Sequence, residues 1–230
     1  MTTPPRPAAK ARTPLNRERV LGIAMRFADE HGIGSLTMRK LGEAAGVEAM
    51  SLYNHVANKN DLLDGMINLV FVEIALPTSA DPWKPAMRDR AISMRTALTR
   101  HPWAISIINT RTSPGAATLR HHDAVIGCLR DAGFSIQLTA HAFAALDSYI
   151  YGFVLQEQTL PIGTDDENAE LVHAMMAQFP AEAFPHLAEF TFEHILRPGY
   201  SFAVEFEFGL DLLLDGLERA HRAACRRRKP

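Results

Sequence analysis

The sequence predicts an all-α fold, and three observations support this prediction. Apolar residues recur at helical spacing in nearly every segment that follows Pro14. Alternating patterns typical of strands are almost absent, and the β-prone run SYIYGFVL (148–155) keeps the apolar spacing of the helix around it. Pro and Gly residues interrupt the helical pattern at short intervals, which indicates many helices joined by brief turns.

Four helices are expected before residue 77. The first carries an apolar stripe and ends at Gly32, and the second and third meet at Gly46. Asn58 is suited to capping the fourth helix, with Asp61 reaching back from three residues on, as in a capping box. The fourth helix is expected to end near Leu76, before the segment PTSADPWKP. The stripe of the first helix consists of Val20, Leu21, Ile23, Ala24, Phe27 and Ala28.

The rest of the chain is expected to form six more helices, because turns that contain Pro or Gly separate six segments of helical apolar spacing. Their expected ranges are about 84–100, 103–109, 114–131, 137–159, 167–178 and 200–223. No internal repeat is visible, so a solenoid architecture is not expected.

The composition is that of an ordinary globular protein. Of the 230 residues, 47% are hydrophobic and 22% are charged, which is enough apolar material for a core. No apolar run approaches the roughly 18 residues of a membrane span, so no membrane partner is expected. Residues 1–14 are predicted to be a disordered basic arm rather than a secretory signal. Only Cys128 and Cys225 are present, which favours the reducing cytoplasm over a disulfide framework.

Charge is distributed unevenly along the chain. Residues 1–60 carry nine Lys and Arg against five Asp and Glu, a net charge of +4. Residues 61–218 carry nine basic and 21 acidic residues, a net charge of −12. Residues 219–230 carry six basic residues and no acidic one. A basic head on an acidic body indicates that one end meets a polyanion. The alternative is that the basic termini serve solubility alone.

A helix-turn-helix is predicted around Gly46. Apolar residues on both sides of this turn can hold two helices at a steep crossing, and they are Leu41, Ala45, Val47 and Leu52. Gly42 lies four residues before the turn, where close approach of the second helix excludes a larger side chain. The alternative is a helical hairpin that packs in a core and keeps a polar outer face.

The outward residues of the second of these helices are short or planar, carry hydrogen-bond donors and include no acid. They are Ala49, Met50, Ser51, Tyr53, Asn54 and His55. Lys59 begins the next helix, where its ammonium group and free backbone N–H groups can bind a phosphate. Arg39 has the reach and the planar guanidinium that suit a guanine edge. The pattern is typical of a surface that enters the major groove of double-stranded DNA.

Residues 15–64 closely resemble the DNA-binding domain of the tetracycline repressor (TetR) family. The matching segments are LNRERVL, GIGSLTMRKLGEAAGV and SLYNHVANKNDLLD. The resemblance implies a dimeric regulator with a three-helix DNA-binding head and a helical body that holds a ligand. It also implies that Arg39 reads a base and that other residues contact the DNA backbone or base edges, namely Thr37, Ser51, Tyr53, His55 and Lys59. The sequence departs from the tetracycline repressor at Ala49, Met50 and Asn54, so a different operator sequence is expected.

The body resembles the same family more weakly. The segments YIYGFVLQEQ and FEFGLDLLLDGLERA look like the two helices that form the four-helix bundle of the dimer, so the homodimer is predicted to form through helices 137–159 and 200–223. Apolar stripes on both helices support this, although packing within one chain is the alternative. The expected divisions are a basic arm (1–14), a helix-turn-helix domain (15–61), a ligand-binding and dimerisation domain (62–223) and a basic tail (224–230).

The resemblance also locates a ligand site. The tetracycline repressor's magnesium-binding histidine, magnesium-linked glutamate and drug-contacting histidine correspond to Ile107, Gln156 and Ala75. Because a magnesium–tetracycline chelate needs oxygen or imidazole ligands, tetracycline is not the expected effector. The equivalent walls form a largely apolar cavity suited to a hydrophobic or aromatic small molecule. They are Phe71, Ile74, Met94, Leu98, Ile107, Thr110, Phe143, Asp147, Phe153 and Gln156.

Neither a metal site nor a cofactor is predicted. The run His121-His122-Asp123 offers metal ligands, but adjacent helical residues point about 100° apart and cannot all face one ion. No nucleophile–base pair or phosphate-binding glycine loop supports an enzyme. Two alternatives to a ligand-controlled repressor stay open: a helical carrier or enzyme that does not bind DNA, and a DNA-binding dimer without a physiological effector.

Overall fold

A computed structural model describes residues 14–78, 81–160, 182–197 and 199–227. Within these residues the chain is helical and contains no strand, which confirms the all-α prediction. The helices are α1 (Arg17–His31), a short 3-10 helix (Ile33–Ser35), α2 (Met38–Ala45), α3 (Ala49–Leu52), α4 (Lys59–Glu73), α5 (Trp83–Arg100), α6 (Ala104–Ile108), α7 (Ala116–Asp131), α8 (Ile136–Thr159), α9 (Pro185–Phe190), a π-helical turn (Thr191–Ile195) and α10 (Ala203–Arg227).

The described residues form two compact units. The first, here called the head, ends at Met66, and the second, the body, begins at Ile67. Helix α4 therefore contains residues of both units. The predicted division at residues 61 and 62 lies five residues earlier in the chain.

The head is built from α1, α2, α3 and the first half of α4. Helix α1 begins because the Asn16 side chain accepts a hydrogen bond from the Arg19 N–H at 2.8 Å. It ends at Gly32, whose φ of 75° is easily adopted only by glycine. The apolar faces of these helices form one core, in which the fully buried members are Val20, Ala24, Leu36, Leu41, Leu52 and Met66.

The turn between α2 and α3 follows the predicted geometry. The Thr37 side chain caps α2 by accepting from the Lys40 N–H, and Gly46 ends the helix with a left-handed φ of 68°. A Cβ atom on Gly42 would lie 2.9 Å from the Val47 carbonyl oxygen and 3.0 Å from the Ala49 nitrogen. Both are backbone atoms that cannot rotate away. The close approach of α3 to α2 therefore requires glycine at position 42.

Gly42→Ala is expected to destabilise the head by about 1–3 kcal/mol, because its methyl group forces α2 and α3 apart. Hydrogen–deuterium exchange of the α1–α3 amides should speed up correspondingly. The control is Gly34→Ala, where a Cβ atom meets nothing within 4 Å. Equal exchange in both variants would contradict the packing argument.

The body core is formed by α5, α7, α8 and α10, and each of α5 and α8 packs against the other three. Helix α5 turns its small and apolar side chains inward, among them Met87, Ala91, Met94 and Leu98. The facing residues of α8 and α10 are buried as well, and they include Leu146, Ile150, Phe206, Leu210 and Leu214. Burial of this apolar surface, rather than the ion pairs at its edge, is the main source of stability.

Two basic residues of α5 connect its exposed edge to α10. Lys84 bonds to Asp215 and Glu218, and Arg88 bonds to Glu207 and Asp211. These pairs lie at the surface, where solvent screening leaves each one a small contribution to stability.

Several boundaries differ from the expected ones. Helix α4 ends at Glu73 rather than near Leu76, and the Glu73 carboxylate pairs with Arg100 and His101 of the body. The expected basic tail from residue 224 continues α10 as far as Arg227. Helix α9 and the π-helical turn after it were not predicted, because Pro185 and the short apolar runs there resemble loop sequence. The expected helix at 167–178 lies outside the described residues.

Helix α8 is long and apolar enough to cross a membrane by length and composition alone. It is not an uninterrupted apolar run, because it contains Asp147 and Glu157. Its most apolar 18 residues are 39% buried within the chain, and core helices of soluble proteins can be equally long and apolar. Asp147 pairs with a buried arginine of α5, which is the behaviour of a core helix.

Candidate functional site

The predicted DNA-contacting side chains lie on one continuous stretch of the head. Met50 is 72% exposed and Tyr53 is 44% exposed, while Ser51 and His55 are half-buried. Thr37, Arg39, Asn54 and Lys59 are exposed, and Ala49 is half-buried beside Gly42. The structure therefore exposes six of these nine side chains to solvent and leaves Ala49, Ser51 and His55 half-buried.

The second helix of the pair is shorter than expected. Regular α-helix covers only Ala49–Leu52, and hydrogen bonds from residues 53–55 to carbonyls three residues earlier continue it as tighter turns. Its inward anchor, Leu52, is fully buried. Tyr53 and Asn54 therefore project into solvent from tight turns that directly follow the buried Leu52.

Arg39 has a partner that the sequence reading missed. Its Nη1 atom donates to the Glu43 carboxylate at 2.6 Å, one helical turn on, and both side chains are exposed. Such an exposed pair contributes at most about 1 kcal/mol, so a guanine edge or a phosphate can displace Glu43 easily. The pair holds the guanidinium extended along α2 while the protein is free.

The start of α4 is held in place by Arg17. The Arg17 guanidinium donates to the Asp61 carboxylate at 2.6 and 2.9 Å and to the His55 carbonyl oxygen at 3.0 Å. Its hydrogen bonds lower the pKa of Asp61. As predicted, Asn58 caps α4 by accepting from the Asp61 N–H, but Asp61 reaches back to the Ala57 N–H. Arg17 thus joins the turns that follow α3 to the first turn of α4.

The predicted ligand-contacting residues fall into two groups. The first is enclosed by the body: Phe71, Ile74, Met94, Leu98, Asp147 and Phe153 are buried, and Ile107 and Phe143 are half-buried. The second group, Thr110 and Gln156, is exposed in the described part of the chain. The fully buried residues come from α4 and the residue that follows it, from α5 and from α8.

A buried polar cluster lies among these residues. The Arg90 guanidinium of α5, 1% exposed, donates to the Asp147 carboxylate of α8 at 2.6 Å and to His121 Nε2 of α7 at 3.2 Å. The His121 side chain is fully buried, and it packs on Phe71 with 5.1 Å between ring centroids. Burial, reinforced by the charge of Arg90, lowers the pKa of His121 to about 3, so its imidazole is neutral.

This shift makes the stability of the body depend on pH. The folded-state pKa of His121 lies below the unfolded value near 6.5, so only the unfolded chain binds the proton in between. The free energy of unfolding is expected to fall as the pH drops below about 6.5, by up to about 1.4 kcal/mol per pH unit for this group. Tryptophan fluorescence can follow it, because Trp83 and Trp103 both lie in the body.

The matching measurement uses two variants between pH 7.5 and 5.0. His121→Phe should flatten the slope, whereas His141→Phe, at an exposed position of α8, should keep the wild-type slope. An unchanged slope in His121→Phe would show that the imidazole is protonated equally in both states.

Comparison with known proteins agrees with this geometry. A family model for bacterial regulatory proteins of the tetR family matches residues 20–66, and a model for the tetracyclin repressor-like C-terminal domain matches residues 76–221. The chain belongs to the TetR family. It is accordingly a DNA-binding transcriptional regulator, and membership points away from an enzyme. The resemblance noted from the sequence is confirmed over both the head and the body.

Individual TetR family relatives cover most of the chain. An HTH-type transcriptional regulator from Saccharopolyspora erythraea is 33% identical over 77% of this chain and 78% of its own length. The class C tetracycline repressor from Escherichia coli is 28% identical over 89% of this chain and 91% of its own. A structure described as a possible TetR family regulator from Streptomyces coelicolor A3(2) has a TM-score of 0.72, at 31% identity over 89% of this chain and all of its own.

Three important residues of this TetR family protein were not predicted from its sequence. Arg17 resembled any exposed cation of an amphipathic helix. Arg90 lies on the apolar face of α5. The presence of a basic residue among apolar residues at helical spacing is the sequence feature that could have indicated a buried charge. His121 was considered only as a metal ligand with its neighbours, whereas its partner is a guanidinium.

Proposed function

We propose that this protein is a repressor that binds operator DNA as a homodimer in the cytoplasm and releases it when a small aromatic molecule enters the body. The observation that carries the proposal is the arrangement of the head. Exposed Arg39, Tyr53 and Lys59 flank a short recognition segment that is anchored by buried Leu52. The net charge of +4 over residues 1–60 supports a polyanionic partner.

The DNA contacts are proposed residue by residue. Arg39 reads a base edge in the major groove, and Lys59 binds a phosphate at the start of α4. The remaining contacts to the backbone or to base edges come from Thr37, Ala49, Met50, Ser51, Tyr53, Asn54 and His55. Two heads are needed, because dimers of this kind bind two half-sites about one helical turn or a multiple apart.

The dimer is proposed to form through α8 and α10, but through other side chains than the stripes noted in the sequence. Part of those stripes packs inside the chain: Phe206 is buried, and its ring lies 5.5 Å from that of Tyr149 and 5.0 Å from that of Phe153. A second apolar row of α10 stays exposed at every fourth residue, and it consists of Val204, Phe208 and Leu212. Exposed apolar rows of this size favour contact with another copy.

The effector is proposed to act through α4. Phe71 of this helix packs against His121 and His122 in the body, and the same helix begins with Lys59 of the head. A ligand that displaces Phe71 would move α4 and alter the separation of two heads. A coupling of about 1–3 kcal/mol is enough to weaken operator binding 5- to 150-fold. Tetracycline is not the proposed ligand, because Ile107, Gln156 and Ala75 replace its chelate-binding side chains.

The proposal is tested by measuring duplex binding against salt concentration. Several counterions should be released on binding. Lys59→Ala should weaken binding to all sequences alike and lower the magnitude of the salt slope by about two per dimer, about one for each head. Arg120→Ala removes the same charge from an exposed site on the body and should leave the slope unchanged.

The other outcomes decide between the candidate functions. A salt slope near zero would contradict the repressor hypothesis and favour a helical carrier that does not bind DNA. Equal slopes in wild type and Lys59→Ala would keep DNA binding and remove Lys59 from the interface.

A further inference from the structure

Within the described part of the chain, two hydrogen-bonding groups of the buried cluster lack a partner. Arg90 Nη1 and His121 Nδ1 are fully enclosed and, among the residues that the structure describes, neither makes a hydrogen bond. Both side chains are almost completely inaccessible to solvent. Buried polar groups of folded proteins are nearly always paired, so an unpaired set in a ligand-responsive body indicates a partner that comes from outside the chain.

The hydrogen bonds already present determine what kind of partner fits. A guanidinium can only donate, so the bond from Arg90 Nε to His121 Nε2 requires an unprotonated Nε2. The single proton of the neutral imidazole therefore lies on Nδ1. Both unpaired groups are consequently donors, and they need an acceptor. A metal cation is excluded, because Nδ1 carries a proton and the guanidinium is positively charged beside it.

The charge of the cluster and the aromatic residues beside it further restrict the chemical class of the partner. Arg90 and Asp147 neutralise each other at 2.6 Å, so the acceptor need not be an anion. Two aromatic rings adjoin the His121 imidazole: the ring centroid of Phe71 lies 5.1 Å away and that of His122 lies 5.8 Å away. His122 in turn meets Phe143 edge-on at 5.4 Å. Rings in such arrangements favour another planar ring as a neighbour.

We propose that the effector is a planar aromatic molecule that carries a carbonyl or phenolic oxygen, and that this oxygen accepts hydrogen bonds from Arg90 Nη1 and His121 Nδ1. The inference rests on the proposed function, since it assigns a chemical class to the effector of the body. It adds Arg90 and His121 to the ligand-contacting residues. The competing explanation is an enclosed water molecule that satisfies both donors.

The test compares two ligands that differ by one oxygen. 9-Fluorenone and fluorene share the same tricyclic skeleton, and only the first has a carbonyl oxygen. Binding of each to the purified full-length protein is measured by equilibrium dialysis at low micromolar concentration. Fluorenone is expected to bind at least about tenfold more tightly than fluorene, because a site built from donors penalises the analogue that lacks the acceptor.

Two lysine variants locate the selectivity. Arg90→Lys keeps the positive charge beside Asp147 but removes Nη1, and it should reduce the fluorenone preference to less than about threefold. Arg88→Lys makes the same exchange two residues away, at an exposed ion pair, and should keep the full preference. The ratio of the two affinities is the readout, since a general loss of structure lowers both.

Three results would overturn the inference: equal affinity of wild type for the two ligands, as expected if water stays on the donors; a full preference retained in Arg90→Lys; or no fluorenone binding up to its solubility. DNA affinity is measured separately with and without fluorenone. Selective binding that leaves DNA affinity unchanged would refute the proposed regulation and leave the ligand class standing. Salt-dependent DNA binding by a protein that does not prefer fluorenone to fluorene would refute the ligand class and leave the proposed DNA binding standing.

Discussion

Arg90→Met is expected to lower the free energy of unfolding of the body by about 3–5 kcal/mol, the largest effect of any single change considered. The substitution leaves the Asp147 carboxylate in the interior, with its side chain only 12% exposed and its guanidinium partner gone. It also removes the donor that bonds to His121 Nε2. Denaturant unfolding followed by the fluorescence of Trp83 and Trp103 measures this loss in the body.

Two further variants separate the missing partner from the missing volume. In Arg90→Met/Asp147→Leu no charge is left buried, and at least about half of the lost stability should return, because apolar residues can replace a buried ion pair at little cost. Arg88→Met removes an arginine of the same helix whose partners Glu207 and Asp211 are exposed, and it should cost less than about 1 kcal/mol. Equal losses for Arg88 and Arg90 would refute the distinction between surface and interior pairs.

Arg39→Ala is expected to relax the recognition of one base pair in each half-site of the operator by about 1–3 kcal/mol. The guanidinium is the exposed group of α2 with the reach and planarity to bond a guanine edge, and truncation removes it without disturbing a buried residue. The measurement is a set of equilibrium titrations of operator variants with each base at each position. The operator is first isolated by selection from random duplexes.

Glu43→Gln provides the matched control for this interpretation. It breaks the Arg39–Glu43 ion pair but keeps the arginine, and it removes a negative charge near the DNA phosphates. Affinity for all sequences should rise slightly while the preference at the affected base stays as in wild type. If Glu43→Gln relaxes the preference as much as Arg39→Ala does, then the ion pair itself orients the contact. If Arg39→Ala keeps the wild-type base preference, then Arg39 does not read a base, and residues 49–55 are the remaining candidates.

The head was predictable because its signals are local. Gly42, Gly46 and the cap residue Asn58 act on neighbours within a few positions, so their positions in the sequence indicated the turn, the close approach of two helices and the start of α4. The sequence did not indicate how short α3 is, nor that Arg17 bonds to both His55 and Asp61. The bonds of Arg17 join residues 38 and 44 positions apart. Helical periodicity shows that a cation faces outward, but not which distant acceptor it meets.

In the body, the sequence correctly predicted helices α5 to α8 and α10, but it left open which of their faces point inward. The stripes on α8 and α10 were real, yet they could serve contact within a chain or between two chains, because both need the same apolar periodicity. The structure assigns Phe153 and Phe206 to the interior. It leaves Phe208, only two residues further along α10, 66% exposed.

By itself, the sequence determined the all-α class and the helix-turn-helix, since both follow from short-range spacing. The matching segments of residues 15–64 carried the resemblance to the family. Only the tertiary structure decided that the body contains a buried cluster of polar groups. Arg90 lies 31 residues from His121 and 57 from Asp147, and no local pattern joins them. Packing of α5, α7 and α8 brings them together, and the exclusion of water leaves two of their donors in need of an acceptor.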